Sequence, residues 1–449
     1  MCLLLAALAL FSCTPGNTPD TPPPRKPVTQ VVLFTVDTLR ADRLGLYGYT
    51  HKPTSPNLDA WAENAMVFGK VFAPAPWTVP SVGALMTGFY PVQIGAYTNR
   101  GVISDHFVTL AQLFRQHGFK TASFNTHYLL LGDRGGFRRG FDEVFPVVDE
   151  PEDETIHKLP FSVTEPQLMN WLSQHANDPF FIWIHDMSPH EPPTEGNPYM
   201  TDPAWDRGHD WRRYDPEIRW VDEIAGRLFD QLKALGIWER CLLVFTADHG
   251  EAFLEHHLAG HQDVIYDEVL RIPLILQYPG MPSPRHIDAP VELTDLFSTI
   301  AELAGLPLPP GVQGESLLPV IENASAPMRN RPAFHARYHF EGGAHHLAVR
   351  DGEWKLIVKT PPSKQHIEDR PDWSLYRPGT TFELYNLMRD PRETENLIES
   401  HPEVALRLEG KLLAWKRRTD AAAAAQKAGT PPPLDDATRE ALRALGYEE

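Results

Sequence analysis

The stretch 31-VVLFTVD-37 decides the fold of this chain. Six residues, apolar or β-branched, run without a break, which is the composition of a strand covered on both faces, and such strands belong to parallel sheets. The run ends on an acid, Asp37. Comparable runs recur at 121-TASF-124, 180-FFIWI-184, 242-LLVFTA-247 and 272-IPLILQ-277. Helical patterns separate them. In one, Ile218, Val221, Ala225, Leu228, Leu232 and Leu235 recur on a single face and Gly236 supplies the stop. Strands alternating with helices predict an α/β fold around a central, mostly parallel sheet.

From about Pro332 the pattern changes. HLAVRDGEWKLIV reads as two short strands joined by a glycine turn, FELYNL as a third, and a helix begins near Pro402. A small antiparallel α+β subdomain is expected there. AAAAAQKAGTPPP reads as a helix end and linker, and LDDATREALRALGYEE as a terminal helix. The expected divisions are a signal segment at 1–13, a Pro-rich linker at 14–28, the main α/β domain at 29–325, the subdomain at 326–420, and a linker with terminal helix at 421–449. There is no internal repeat.

The 449 residues carry 41 basic and 59 acidic side chains, a net charge of −18, without a basic run able to track a phosphate backbone. Nucleic acid is not an expected partner, and oligomeric state is not legible. MCLLLAALALFSC is too short an apolar run to span a bilayer and reads as the core of a secretory signal, although it lacks a basic start. Its LFSC end resembles a bacterial lipobox. That predicts an exported protein, periplasmic or on the outer envelope, touching membrane only through a lipid on Cys13; plain secretion is the alternative. Cys241 is the third and last cysteine, so the mature chain has no internal disulfide pair.

The polar groups worth weighing follow the apolar runs. Asp37 follows the first; Asn125 and His127 the second; His185, Asp186 and His190 the third; Asp248 and His249 the fourth. Ligands of open α/β sheets bind beyond the carboxyl ends of the strands, so these groups are expected to converge. Imidazole with carboxylate is a ligand set for a divalent metal ion, and a cation would offset the cost of placing Asp37 beside Asp248. Singly, an acid after a strand more often caps the next helix. The same duality holds in 76-PWTVPSVGALMTG-88, where Thr78 is either a helix cap or a nucleophile at a helix start.

Four segments in order, VVLFTVDTLRADRLGLYGY, PWTVPSVGALMTGFYP, FIWIHDMSPHEPP and LLVFTADHGEAFLEHHLAGHQDVIYDEVLRIPLIL, resemble the sulfatase family of the alkaline-phosphatase superfamily. The likeness extends from about Gln30 through VELTDLFSTIAELAGL to ELYNLMRDPRETENL. It implies an alkaline-phosphatase-like sandwich, hydrolysis of a sulfuric or phosphoric ester, and a divalent cation, calcium, zinc or manganese, held by Asp37, Asp248 and His249. Thr78 falls at the nucleophile position, and His190 and His261 at positions that contact the ester or protonate its leaving group. Thr38 sits where many members have a second metal-binding acid. Asp186 and His190, four apart, would with His261 form a second metal site bridged by Thr78.

The departures are informative. The family's C/S-x-P-x-R motif, whose first residue becomes formylglycine, reads here Thr78-Val79-Pro80-Ser81-Val82, and threonine cannot become formylglycine by that route. The Gly-Lys-Trp segment is replaced by SFNTHYLL. Threonine nucleophiles belong to the superfamily's phosphodiesterases and phosphotransferases, so the resemblance points to phosphate esters. An envelope phosphotransferase using the same threonine and a catalytically silent binding protein are the rival readings. Of the lesser candidates, Arg40 pairs either with an anionic substrate or with Asp42 or Asp59. His256 and His257 are placed at the entrance, Trp211, Arg212 and Arg213 on a loop, and His345 and His346 over the pocket.

Overall fold

A computed structural model describes residues 27–132, 135–146, 159–190, 194–205, 210–261, 264–323, 331–338, 345–361 and 378–425. The leader, the lipobox, nearly all the Pro-rich linker and the terminal helix lie outside these residues, as do the side chains of Trp211 and Arg212. No described helix is long and apolar enough to cross a membrane.

The first strand, β1 (Gln30–Val36), is buried along its whole length. It is followed by β2 (Met66–Phe72), β3 (Lys120–Asn125), β4 (Glu143–Phe145), β5 (Phe180–Asp186) and β6 (Cys241–Ala247). Then come a small hairpin, β7 (Ala252–Phe253) and β8 (Ala259–Gly260), and the strands β9 (Arg271–Ile272), β10 (Leu274–Gln277) and β11 (Arg285–Glu292). The central sheet runs β11-β2-β10-β6-β1-β5-β3-β4, with β9 beside β2. β1 is parallel to both β5 and β6, and β3 is parallel to β5. The apolar run at 272–277 forms the short β10, which is antiparallel to its neighbours β6 and β2.

This is the α/β sandwich anticipated from the apolar runs, with a second sheet of β12 (Ala333–Arg337), β13 (His345–Asp351), β14 (Trp354–Thr360) and β15 (Thr381–Asn386), all antiparallel. A long helix, Pro402–Ala425, packs on it through Leu408, Leu412 and Trp415, so the helix passes residue 420. Trp415 stacks on Phe334 at 5.0 Å, and its other neighbour is Tyr90 of the main domain.

The two sheets meet at the segment that leads to Thr78. His335 Nδ1–H donates to the Ala73 carbonyl at 2.8 Å, and the Ala336 N–H donates to the Pro74 carbonyl at 2.9 Å. Burial, with Lys355 nearby, pushes His335 down to about 3. The native state therefore refuses a proton that the unfolded chain accepts below about 6.5. Stability from this group is complete above that value and is lost as pH falls towards 3, at up to about 1.4 kcal/mol per pH unit. His335→Asn keeps an N–H near the Nδ1 position but cannot titrate. Urea unfolding of this variant is expected to show a shallower loss of stability than the parent between pH 6.5 and 4.

Candidate metal and nucleophile centre

Parallel neighbours β5, β1 and β6 end at the same level, which brings Asp186, Val36 and Ala247 into register. Asp37 and Asp248 are thus the next residues on adjacent strands, and both are completely buried. Their spacing is fixed from the backbone. The Thr38 N–H (3.2 Å) and the His249 N–H (2.7 Å) both donate to Asp248 Oδ1. Thr38 holds a left-handed φ of 57°, strained for a β-branched residue, and its hydroxyl donates to the Asp37 carbonyl at 2.8 Å.

Around this pair stand three imidazoles. His185 Nε2 lies 3.3 Å from Asp37 Oδ2, and His127 Nε2 lies 3.7 Å from the same oxygen. His249 Nε2 is 3.8 Å from Asp37 Oδ1 and 3.5 Å from Asp248 Oδ2. Among the described residues, Asp37, His185 and Asp248 form the group whose ligand atoms all lie within 4.8 Å of one another. Asp37 Oδ1 and Asp248 Oδ2 are buried without a hydrogen-bond partner. Two buried acids with such oxygens are costly unless a cation or a proton is shared. Burial and the Asp37 charge raise Asp248 well above the carboxylate range. Burial acts on Asp37 too, but the hydrogen bond to His185 and the imidazoles of His190, His127 and His249 outweigh it and hold Asp37 well below that range. The residues present fit a divalent ion, which would displace the shared proton.

Thr78 is the first residue of the helix Thr78–Thr87, all ten residues of which are buried and none charged. It is not the cap. Trp77 occupies that position, and the Val79 N–H is taken at 3.0 Å by Asn99 Oδ1, a side chain from a later loop. The Thr78 hydroxyl lies 3.5 Å from Asp37 Oδ2 and 3.4 Å from His249 Nε2. Helix start and carboxylate pair therefore meet at one oxygen, in a place where the helix dipole favours negative charge.

His261 and His190 stand with their rings 5.2 Å apart, and His261 is 4.5 Å from His249. Glu251 lies against His261 Nδ1 at 3.2 and 3.3 Å. Burial raises Glu251 to about 7 and lowers His261 to about 4, so near neutral pH the proton of this pair belongs to Glu251. Asp186 Oδ1 accepts from the Ser188 N–H and O–H. Asp186, His190 and His261 do not form a group of the kind made by Asp37, His185 and Asp248 among the described residues.

Arg40 is committed to the protein: it grips Asp42 with two nitrogens and also reaches Glu255 and the Glu251 carbonyl. His256 lies between Glu268 and the Glu393 carbonyl and stacks on Tyr266, joining β15 and its following turn to the main domain. His257 is exposed, and His345 and His346 are buried in β13 opposite Thr360 and Lys359. The sequence reading placed His185 among the converging groups without making it a ligand, and did not assign capping Asn99 or Glu251 to the centre. An imidazole on an otherwise apolar strand, two residues after a tryptophan, is the one signal that marks His185 in advance.

Acids at the ends of adjacent parallel strands, facing a hydroxyl at a buried helix start, make a site able to hold a divalent ion beside a candidate nucleophile. Comparison with known proteins agrees. The family profile described as Sulfatase matches residues 29–306, and that described as N-sulphoglucosamine sulphohydrolase, C-terminal, matches residues 255–418. The chain belongs to the sulfatase family and is a hydrolase of that superfamily. It is 26% identical to an ulvan-active sulfatase of Formosa agariphila over 67% of this chain and 66% of that one. It is also 26% identical to arylsulfatase A of Homo sapiens, over 87% and 88%. Among solved structures, the phosphonate monoester hydrolase of Agrobacterium radiobacter superposes with a TM-score of 0.71 at 20% identity, over 88% of this chain and 96% of that one.

Proposed function

We propose that the enzyme hydrolyses phosphoric-type esters with Thr78 as the attacking group. The observation that carries the reading is the Thr78 hydroxyl within 3.5 Å of both Asp37 Oδ2 and His249 Nε2. When bound, a divalent cation at Asp37, Asp248 and His249 would lower the pKa of that hydroxyl and offset the charge of the ester. The Thr78 hydroxyl gives up its proton to water, and Oγ1 bonds to phosphorus as the bond to the leaving oxygen breaks. That oxygen takes the Nε2 proton of His261 as Glu251 passes its own proton to Nδ1, with His190 the alternative donor; water then cleaves the phosphothreonine, and its proton restores the same pair. Val82 stands where the family's arginine is expected, so charge neutralisation falls to the cation and to N–H donors. Export with a lipid on Cys13 is part of the proposal and rests on the leader sequence alone.

A matched aryl panel tests the chemistry: sulfate, phosphate monoester, phosphate diester and phosphonate monoester, the last because of the structural relative. Turnover of phosphorus esters with little turnover of the sulfate is expected. Turnover of the sulfate alone would sink the reading.

Asn99 is assigned the role of an oxyanion donor. Its Oδ1 is engaged by Val79, while Nδ2 is buried with no hydrogen-bond partner. Asn99→Asp preserves an acceptor for Val79 and removes both N–H groups. The expected result is a fall in kcat of about 10²-fold or more with thermal stability little changed. If Asn99 only caps the helix, kcat survives.

A further inference from the structure

We propose that His185 ligates the metal through Nε2, and that Thr35, itself held by Trp183, holds its other nitrogen so that the centre selects a zinc-like ion over calcium. The parallel register of β1 and β5 sets Thr35 directly beside His185. Thr35 Oγ1 has three polar neighbours: the Ile184 carbonyl at 3.0 Å, Trp183 Nε1–H at 2.9 Å and His185 Nδ1 at 2.8 Å. A hydroxyl has one proton and two lone pairs. The indole N–H always takes one lone pair. When the hydroxyl proton turns to the Ile184 carbonyl, the second lone pair accepts Nδ1–H of His185, and Nε2 presents its own lone pair beside Asp37 Oδ2. When the proton turns to Nδ1 instead, Nε2 carries hydrogen and donates to Asp37. Rotation of one O–H therefore exchanges the two tautomers, and a cation at the carboxylates favours the first.

The neighbouring histidines sort by the same reasoning. His249 Nδ1 faces the Gly250 carbonyl at 2.9 Å; a carbonyl only accepts, so Nδ1 is protonated and Nε2 is open to a metal. His127 is reversed: its Nδ1 accepts the Leu129 N–H at 3.1 Å, so Nε2 bears the proton and cannot ligate. Among the described residues the centre thus offers one imidazole and two carboxylates with ligand atoms within 4.8 Å of one another, and His249 Nε2 stands 3.5 Å from Asp248 Oδ2 at its side, all fully buried. Calcium prefers six to eight oxygen ligands, whereas zinc takes a mixed nitrogen and oxygen set with four. A hydrogen-bond partner on the other nitrogen of a ligating imidazole, here Thr35, is the usual outer support of such an ion.

The inference rests on the reading of Asp37 and Asp248 as a metal site, and the test separates the two. Proton NMR of the cobalt-loaded full chain, in water and in deuterium oxide, is expected to show two strongly shifted exchangeable imidazole N–H resonances, from His185 and His249. One such resonance overturns the role of His185; failure to bind cobalt at all overturns the metal reading itself. Titration of the metal-free protein is expected to give zinc binding far tighter than calcium binding, and the reverse order overturns the selectivity. Thr35→Val is expected to weaken zinc binding about 10- to 100-fold while leaving calcium binding within a few-fold. Unchanged zinc affinity in that variant removes the positioning role of Thr35.

Discussion

Thr78→Ala is expected to lower kcat by about 10⁴-fold or more on every ester the enzyme turns over, since removing a nucleophile alone costs nearly as much as dismantling the whole catalytic group. The substitution deletes a hydroxyl and a methyl from the first turn of a helix whose cap is supplied by Trp77 and Asn99. Folding is therefore expected to be retained, and a normal circular dichroism spectrum with absent turnover is the predicted pair of observations. Thr78→Ser keeps the hydroxyl beside Asp37 and His249 and is expected to retain measurable activity. Mass spectrometry of acid-quenched parent enzyme should find a phosphoryl group on the peptide carrying Thr78. A Thr78→Ala enzyme that turns over normally would show that another group attacks.

Asp248→Asn is expected to have effects of opposite sign on activity and on the stability of the metal-free protein. Activity falls by about 10³-fold or more because the amide no longer neutralises the cation that stabilises the reacting ester. Stability rises, because Asp248 is completely buried, has an oxygen without a hydrogen-bond partner, and is forced by burial and by Asp37 to a raised pKa. The sign follows from linkage. The native carboxyl holds its proton at a pH where the unfolded one, near 3.9, has released it, so the acid costs stability increasingly as pH rises above that value. The amide has no such cost, and its advantage in chelator-treated protein is expected to grow from pH 5 to pH 8, read as the difference in melting temperature. An advantage that stays constant with pH would mean that Asp248 ionises in the native protein as freely as in the unfolded chain. Sites that trade stability for chemistry in this way are common.

The strands that carry the site were legible because each is a continuous apolar run ending on a polar residue, as at Val36–Asp37 and Ala247–Asp248. Others were not. β2 is interrupted by Gly69 and Lys70, and β11 contains Pro290 and a register shift, so neither has the composition of a buried strand. Strand direction is also absent from composition, which is why β10 read like its parallel neighbours. At the site, residue type and position suggested Asp37, Asp248 and Thr78 and put His185 near them, whereas the orientation of His185 follows from its pairing with Thr35, 150 residues away. The cap on Val79 comes from Asn99, and the partners of Arg40 include Glu255, a loop contact that spacing does not predict.

The backbone that leads into Thr78 is held at Ala73 by a residue 262 positions later in the chain. Synthesis runs from the amino end, so His249 and His261, and with them every group assigned to the reaction, have been made before His335 exists. A nascent chain ending short of β12 contains the whole chemical apparatus but lacks the two bonds that anchor the approach to its nucleophile. A polypeptide that stops before β12 is therefore expected to turn over more slowly than the full chain.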